Sequence, residues 1–351
     1  MTLRIEKPGL LSSFQDKGRW GHQHLGVSVT GAMDVQAHHV ANLLVGNERD
    51  WATLEMTLIG PTIQFEKSCC ISLTGADMDA RCDGRRIVPY RPILIQAGQT
   101  LKLGTTKTGA RTYMAVHGGF NLPVVMGSQS TYLRAGLGGW QGRALRKGDS
   151  IDINRSLPDD TAMLKDLAER IWQQSIYLPS VIGQLTGRKS LVRIIRSHLW
   201  GEFTPDSCAS LLATEWRICT ESERMGYRLE GPRLEMAQSR QMISEGAAFG
   251  TIQVPGSGQP IILMADRQTT GGYPKIATVA SVDLPILAQK KPGDLVRFTL
   301  IDHSQAQRLD AVREEAFAVL RVDMARVRQL LSEALEPETI EQKGIAIEPE
   351  A

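Results

Sequence analysis

The chain carries no surplus of either charge. Forty Lys and Arg face 38 Asp and Glu, leaving a net +2 over 351 residues. A surface for nucleic acid or an anionic membrane needs a basic excess, so neither is expected as the main partner. Aromatic residues make up 5% of the chain, too few for a base-stacking platform. Five cysteines, Cys69, Cys70, Cys82, Cys208 and Cys219, form an odd set with no CxxC pair, the pattern of reduced thiols and small buried residues rather than ligands. No apolar run is long enough to span a bilayer, and the opening "MTLRIEKPGLLSSFQDKGRWG" has no apolar core of signal-peptide length. A cytoplasmic location is therefore expected.

Several chemistries lack their motifs. No GxxxxGK[ST] phosphate loop occurs, since "GRKS" at Gly187 has the ending without the first glycine. "GLGGWQG" (Gly136 to Gly142) lacks the dinucleotide spacing and reads as a turn between strands. His22, His24, His38 and His39 have neither Cys partners nor HExxH spacing, so no metal site is expected.

What the sequence does contain is short apolar alternation punctuated by glycine and proline, the signature of a mainly β fold. Its length allows about two compact domains. Helices are expected in few places. One starts at Asp34, with Ala37, Val40, Ala41 and Leu44 at helical spacing and a stop at Gly46. A second fits Asp159 to Gln174, and a third runs from about His303 to Ala334 with a break near Asp323. The two halves echo each other. "LIGPTIQF" at Leu58 resembles "LEGPRLEM" at Leu229, and "AGQTLKLG", "KGDSIDIN" and "PGDLVRFTL" each set a turn glycine before an alternating strand. The expected organisation is a β unit over 1–155, a helical connector over 156–188, a second β unit over 189–302, a helix over 303–337 and a loosely ordered tail over 338–351.

Two polar clusters are over-equipped for turns. In "IILMADRQTTGGYPKIATVASVDLP", from Ile261, two strand-like runs enclose Asp266, Arg267, Gln268, Thr269, Thr270, Gly271, Gly272, Tyr273 and Lys275. Near the N-terminus, Gln15, Asp16 and Arg19 stand beside Gly18 and Gly21, followed by "TGAMD" with Asp34. Glycine lets backbone N–H groups approach a ligand, and arginine offers a planar fork to a carboxylate. The alternative in each case is an Asp–Arg pair tying down a loop, and composition does not separate the two. If both clusters bind ligand, they are expected to meet in space as one cleft.

The blocks "QDKGRWG", "GAMD", "ANLLVGN", "LEMTLIGP", "AVHGGF", "GSQSTY", "GLGGWQGRAL", "SERMGYRLEG", "SEGAAFGTIQVP" and "GQPIILMADRQTTGGYPKIATV" together resemble the biotin-dependent carboxyltransferase family. The family is also called allophanate hydrolase subunit 2 and includes the C subunit of 5-oxoprolinase. The resemblance runs from about residue 3 to about residue 302. It implies two cyclophilin-like β-barrel units and a substrate cleft lined by "DRQTTGGYPK" and "GTIQVP". Lys275, Asp266, Arg267 and Tyr273 are then the expected catalytic groups. Gln15, Asp16, Arg19, Asp34, Arg224, Gln253, Gln268, Thr269, Thr270, Gly271 and Gly272 are the expected substrate contacts. Such donors suit an amide whose oxygen gains negative charge as it reacts. Lys275 offers a point charge and Arg267 a fork; Asp266 either accepts a proton or orients Arg267. Two departures stand out. "IIRSHLWGEF" places Arg196, Ser197 and His198 where many members have Gly-Pro-Gln, and Glu223 stands where Asp is common.

The resemblance implies three readings. In the first, the chain belongs to an ATP-dependent enzyme opening a cyclic amide, 5-oxoproline to glutamate. Its partners there are a companion like the B subunit of 5-oxoprolinase (allophanate hydrolase subunit 1) and a lactam-utilisation protein like the A subunit. In the second it moves CO2 from carboxybiotin to urea or a related amide, with a biotin carboxylase. In the third it is a non-enzymatic regulatory partner of the companion protein. No biotinyl-lysine "AMKM" block occurs, so no covalently bound cofactor is expected. ATP or carboxybiotin would come through partner subunits.

Overall fold

A computed structural model describes residues 3–183, 190–238 and 242–335. The "GRKS" segment up to Lys189 and the tail from 338 fall outside the described residues. In the first half the chain runs through β1 (Leu3–Lys7), β2 (Leu11–Gln15), α1 (Val35–Leu44), β3 (Thr53–Thr57), β4 (Thr62–Phe65) and β5 (Cys69–Asp77). It continues through β6 (Arg81–Cys82), β7 (Arg85–Arg86), β8 (Ile93–Ile95), β9 (Thr100–Lys102), β10 (Thr108–Val116) and β11 (Ser150–Ile151). Helices α2 (Thr161–Trp172) and α3 (Ser180–Gly183) follow.

The second half contains β12 (Leu191–Arg196), α4 (Pro205–Ala213), β13 (Trp216–Ile218), β14 (Gly226–Glu230), β15 (Glu245–Gly246) and β16 (Thr251–Gln253). Next come β17 (Ile261–Leu263), β18 (Thr270–Gly271), β19 (Lys275–Val279), α5 (Leu284–Ala288) and β20 (Leu295–Leu300). The chain closes with α6 (His303–Asp323) and α7 (Ala325–Glu333).

Three layers of packing follow from the alternation. A six-stranded sheet (β11-β1-β4-β9-β6-β7) faces a five-stranded one (β2-β3-β10-β5-β8), and Ile5, Phe14, Leu54, Ile63, Ile71 and Met114 fill the space between them. The other face of the five-stranded sheet presents Cys70, Tyr113 and Ala115 to helices, which contribute Val40, Leu164, Phe317 and Leu330. In the second half β12-β19-β16-β17-β14-β13-β20 close into a barrel around Val192, Trp216, Ile252, Ile262 and Phe298. The fold is mainly β, as the alternation implied.

Most local signals act where they were read, but the "LEGPRLEM" echo does not: β14 ends at Glu230 and no strand directly follows its Gly-Pro, whereas "LIGPTIQF" leads into β4. Asp34 caps α1 by accepting from Ala37 N, and Gly46 leaves the helix at φ +74°. The long C-terminal helix breaks at Met324, dividing α6 from α7. The three echoed turn glycines, Gly98, Gly148 and Gly293, share φ of 86 to 90°, where a side chain would be strained. Each donates its N–H to the strand alongside, at Phe65 O, Ile5 O and Ile218 O respectively. The repeated sequence pattern is thus a repeated device for starting an antiparallel strand in register.

Met33 joins the halves. It lies between β2 and α1, yet its side chain is fully buried in the barrel core of the second half. Asp34, next to it, is also buried at the junction, where Gln289 Nε2 donates to Oδ2 at 2.7 Å. Burial raises its carboxyl pKa to about 6, although the hydrogen bonds from Ala37 and Gln289 pull the other way. Because the folded value lies above the unfolded one, this group's contribution to stability is full below about pH 4 and is lost as pH rises through about 6. Asp34→Asn keeps a capping oxygen and removes the ionisation. It should therefore flatten the pH dependence of stability over that window by on the order of 3 kcal/mol, read as the difference between mutant and parent in urea melts at pH 4 and 7. Parallel profiles would refute the assignment.

Candidate functional site

Arg224, in the turn before β14, reaches from the barrel into the first half. Its Nε and Nη2 grip both oxygens of Asp266 at 2.9 Å, and Nη2 also donates to Gly31 O at 2.7 Å. Its Nη1 donates to Glu55 Oε1. The other Glu55 oxygen accepts from Tyr113 Oη at 2.7 Å and Met33 N at 2.9 Å, and Tyr113 Oη accepts in turn from Asp34 N. Burial alone would pull the Arg224 guanidinium down, but Asp266 and Glu55 outweigh it and hold it above its ordinary value. Burial and the Glu55 charge push the Tyr113 phenol up, so it stays a donor. Arg111 completes the seam, donating to Tyr227 Oη at 2.7 Å and Ala288 O at 2.6 Å. Gln289 ties Ala110 N, Arg111 N and Asp34 together.

The N-terminal cluster organises a loop. Asp16 accepts from Gly18 N, Ser128 Oγ, Ser130 Oγ and Gln129 N at 2.5 to 2.8 Å. Arg19, fully buried, donates to Val125 O, Thr30 Oγ1 and Ser130 O, and burial lowers its pKa against the pull of Asp16 and Asp266. The two residues thus hold the 125–131 segment from its two sides. Gln15 Nε2 donates to Ser13 Oγ and Thr131 O. Gly138 of the glycine-rich turn packs directly on Arg19, where a Cβ would stand 2.5 Å from Nη2.

The loop that follows them, tied back by the Arg19 N–H donating to Val29 O, meets the second cluster at Ser28. Ser28 Oγ donates to Arg267 O at 2.8 Å. The Arg267 guanidinium, with Nε donating to Ala247 O at 2.9 Å, lies near Phe249 and is pulled down to about 10 by burial, with Asp266 opposing.

A cleft of about 400 Å3 opens on the barrel in front of this seam, within the size range of small-molecule sites. Gln253, Gln268, Thr270, Gly271, Gly272 and Tyr273 line it. Asp266, Arg267 and Arg224 are 5 to 7% exposed and do not line it. Gln15, Asp16 and Arg19 are likewise buried, inside the first half, and Asp34 is buried at the junction; none of the four lines the cleft, so the two clusters do not form one cleft. Thr269 joins through its backbone, accepting from Ala247 N. Sequence reasoning passed over Met225, Arg228, Ile261 and Leu263, which also line the cleft. The pairing of Arg228 with Ile261, and of Gly226 with Leu263, across β14 and β17 was readable only as alternation, without a sign of which face opens.

Lys275 starts β19, and its Nζ is held by Glu245 Oε2 at 2.9 Å and Gly246 O at 2.7 Å. Those two residues form β15, which pairs with Thr270 and Gly271 of β18. Lys275 therefore pins the ribbon that forms one wall of the cleft. The unusual "RSH" segment adjoins it: Ser197 Oγ donates to Lys275 O, His198 Nε2 lies 3.9 Å from Glu245, and Arg196 stacks over Trp200.

A two-part β body with a closed barrel, a sealed ionic junction and a polar cleft at the barrel wall defines the class of protein. The chain belongs to the carboxyltransferase domain family, whose subdomain A and B model matches residues 25–300. It is 38% identical to the C subunit of 5-oxoprolinase from Escherichia coli over 296 residues, covering 84% of this chain and 90% of that one. The subunit of the same name from Haemophilus influenzae is 39% identical over 298 residues, 85% and 91% of the two chains. The crystal structure of the K. lactis urea amidolyase superposes with a TM-score of 0.82 at 25% identity over 91% of this chain, which spans 20% of that protein.

Removing Arg224 would leave Asp266 buried without the guanidinium that grips it, and Glu55 with Arg111 Nε alone, 3.8 Å away. Arg224→Met should therefore cost about 3–5 kcal/mol of stability, measured by urea denaturation. A loss under about 1 kcal/mol, the value of an exposed pair, would show that the junction carries no such charge.

Proposed function

We propose that this chain is the amide-binding subunit of a multi-subunit, ATP-dependent enzyme that opens a cyclic amide such as 5-oxoproline. The supporting observation is the near end-to-end match to the C subunit of 5-oxoprolinase, which covers 90% of that chain from E. coli. The cleft's chemistry agrees with it. Uncharged donors from Gln253, Gln268, Thr270 and Tyr273 surround a space for a small ligand, and fixed donors are what stabilise an amide oxygen as it gains charge. Arg224 and Lys275, which support the wall, are already held by carboxylates. ATP is assigned to a partner subunit because the chain has no GxxxxGK[ST] phosphate loop. The companion and lactam-utilisation proteins complete the complex.

The second reading, a carboxyltransferase component acting with a biotin carboxylase, is favoured by the TM-score of 0.82 to urea amidolyase. The two differ in a direct measurement. The purified chain alone should turn over neither 5-oxoproline nor urea, while the chain with its companion and lactam-utilisation partners and ATP should form glutamate. Urea carboxylation with a biotin carboxylase, and no glutamate, would favour the second reading.

Within that complex Lys275 is a positioning residue, acting through β15 on the Thr270–Gly271 wall. Small displacements of a reacting group cost about a hundredfold, so Lys275→Met should lower turnover by about that factor. Stability should fall by at most about 1 kcal/mol, since Glu245 is partly exposed. A mutant that melts early yet turns over normally would remove Lys275 from this role.

A further inference from the structure

Among the described residues, Arg228 is the one cation on the cleft lining. The other basic groups around the cleft are already engaged. Arg224 grips Asp266 and Glu55, and Lys275 is held by Glu245. Arg267, 7% exposed, gives its guanidinium to the carbonyls of Ala247, Met264 and Ala265. Arg134 turns Nη1 to the Met225 sulfur at 3.3 Å. Arg228 differs: it is exposed, and its side chain makes no hydrogen bond or ion pair among the described residues.

The Arg228 backbone, by contrast, is fixed from both sides. Its N–H donates to Ser222 Oγ at 3.1 Å, its carbonyl accepts from Cys219 N at 2.9 Å, and Ile261 of β17 is its partner in register. Tyr227, one residue before it, is buried in the barrel core with its Oη accepting from Arg111. A strand held this firmly presents the guanidinium at the cleft while leaving its five donors free. Donors on an anchored strand lose less freedom when a ligand arrives.

The neighbouring acids narrow the kind of anion. Glu221 and Glu223 are exposed on the same lining. Glu221 accepts from Thr220 Oγ1 at 3.1 Å, and the Glu223 carboxylate has no partner among the described residues. Two acids beside one base repel a polyanion such as a nucleotide phosphate, and they leave one fork for one carboxylate, which a guanidinium matches with two parallel N–H···O bonds. Ionised carboxylates accept N–H groups. The lining therefore complements a ligand that carries a single carboxylate next to an N–H.

We propose that Arg228 is a specificity-determining residue of the cleft, taking the carboxylate of a cyclic amide that bears it on the carbon next to the ring nitrogen. That carbon places the carboxylate beside the ring N–H, which the acids of the lining receive. Urea has no carboxylate for Arg228 to take, so the assignment separates the two substrate classes by charge. It rests on the cyclic-amide reading above and adds the group that selects within that class. The sequence pattern offered a fork at Arg267 and a point charge at Lys275, and both are taken up by protein partners.

Calorimetric titration of the chain assembled with its companion and lactam-utilisation partners, without ATP, tests it. The probes are 5-oxoproline and 5-oxoprolinamide, in which a neutral carboxamide replaces the carboxylate. The parent should bind 5-oxoproline more tightly than the carboxamide by a factor of at least about five, the value of one well-placed ion pair. Arg228→Met should lose that preference while binding the carboxamide as the parent does, and Arg228→Lys, which keeps the charge without the fork, should fall between. With ATP, the loss in Arg228→Met should appear in KM rather than in kcat. Its thermal midpoint should stay at the parent's, because the side chain has no protein partner to lose. A smaller preference in the parent, a preference retained by Arg228→Met, or no binding of 5-oxoproline to the parent complex overturns the proposal. Its failure is separable from failure of the proposed function. Glutamate formed by the Arg228→Met complex at the parental KM refutes the role of Arg228 alone. A carboxylate preference that Arg228→Met abolishes, in a complex that forms no glutamate, refutes the function and leaves the assignment of Arg228 standing.

Discussion

The bidentate grip of Arg224 on Asp266, extended to Glu55 in the opposite half, is the interaction on which the rest of the molecule depends. Buried ions are tolerated only when their lost hydration is replaced on every side. Here Glu55 accepts from Arg224, Tyr113 and the Met33 backbone, while Arg224 spends its remaining donor capacity on Asp266 and Gly31. The partners come from β3, β10, the loop before α1 and the loop after β17, so the two halves dock in one relative position or leave charge uncompensated. Met33, inserted into the barrel core, fixes the same junction by packing. Apolar burial supplies attraction without direction, and the ionic seam supplies the direction.

That junction explains why the polar residues divide into two kinds. Asp16, Arg19, Asp34, Arg224 and Asp266 are charged, buried and held by hydrogen bonds, which makes them supports. Thr270, Gly271, Gly272 and Tyr273 are uncharged or bare and face the cleft. The supports reach the cleft through short covalent paths. Asp266 and Arg267 immediately precede Gln268, and Arg224 precedes Met225, which itself lines the cleft. Under the proposed function, a rigid seam one or two residues behind the cleft wall is what preorganisation requires, because donors that are already fixed need not reorganise when charge develops.

The family resemblance and the structural likeness agree on the size of this unit. The same body that covers nearly all of the C subunit of a bacterial 5-oxoprolinase corresponds to a fifth of the K. lactis urea amidolyase. A fold stabilised by an internal seam and three cores of its own has the anatomy of an independent module.

Much of this was legible in the chain because it depends on local chemistry. Alternation specified strands, Asp34 and Gly46 bounded α1, and the repeated glycine turns foretold positive φ at Gly98, Gly148 and Gly293, since caps and turns are decided by neighbours within a few residues. The segment from Gln268 to Tyr273 was recognisable as cleft material through its crowd of donors. The roles of Asp266, Arg224 and Asp16 were not, because an acid beside an arginine in sequence reads alike whether its partner is adjacent or far away. Asp266 lies next to Arg267 but binds Arg224, and Arg224 reaches Glu55 across 169 positions. Gln253 was named only through the family resemblance of the "GTIQVP" block, since no local pattern marks it, and it does line the cleft. Sequence alone determined which residues could form strands, caps and turns, since those forces act over a few bonds. Which charges would be sealed together, and which arginine would be left without a partner at the cleft, was decided only when long-range packing chose what each side chain faced and how much water it kept.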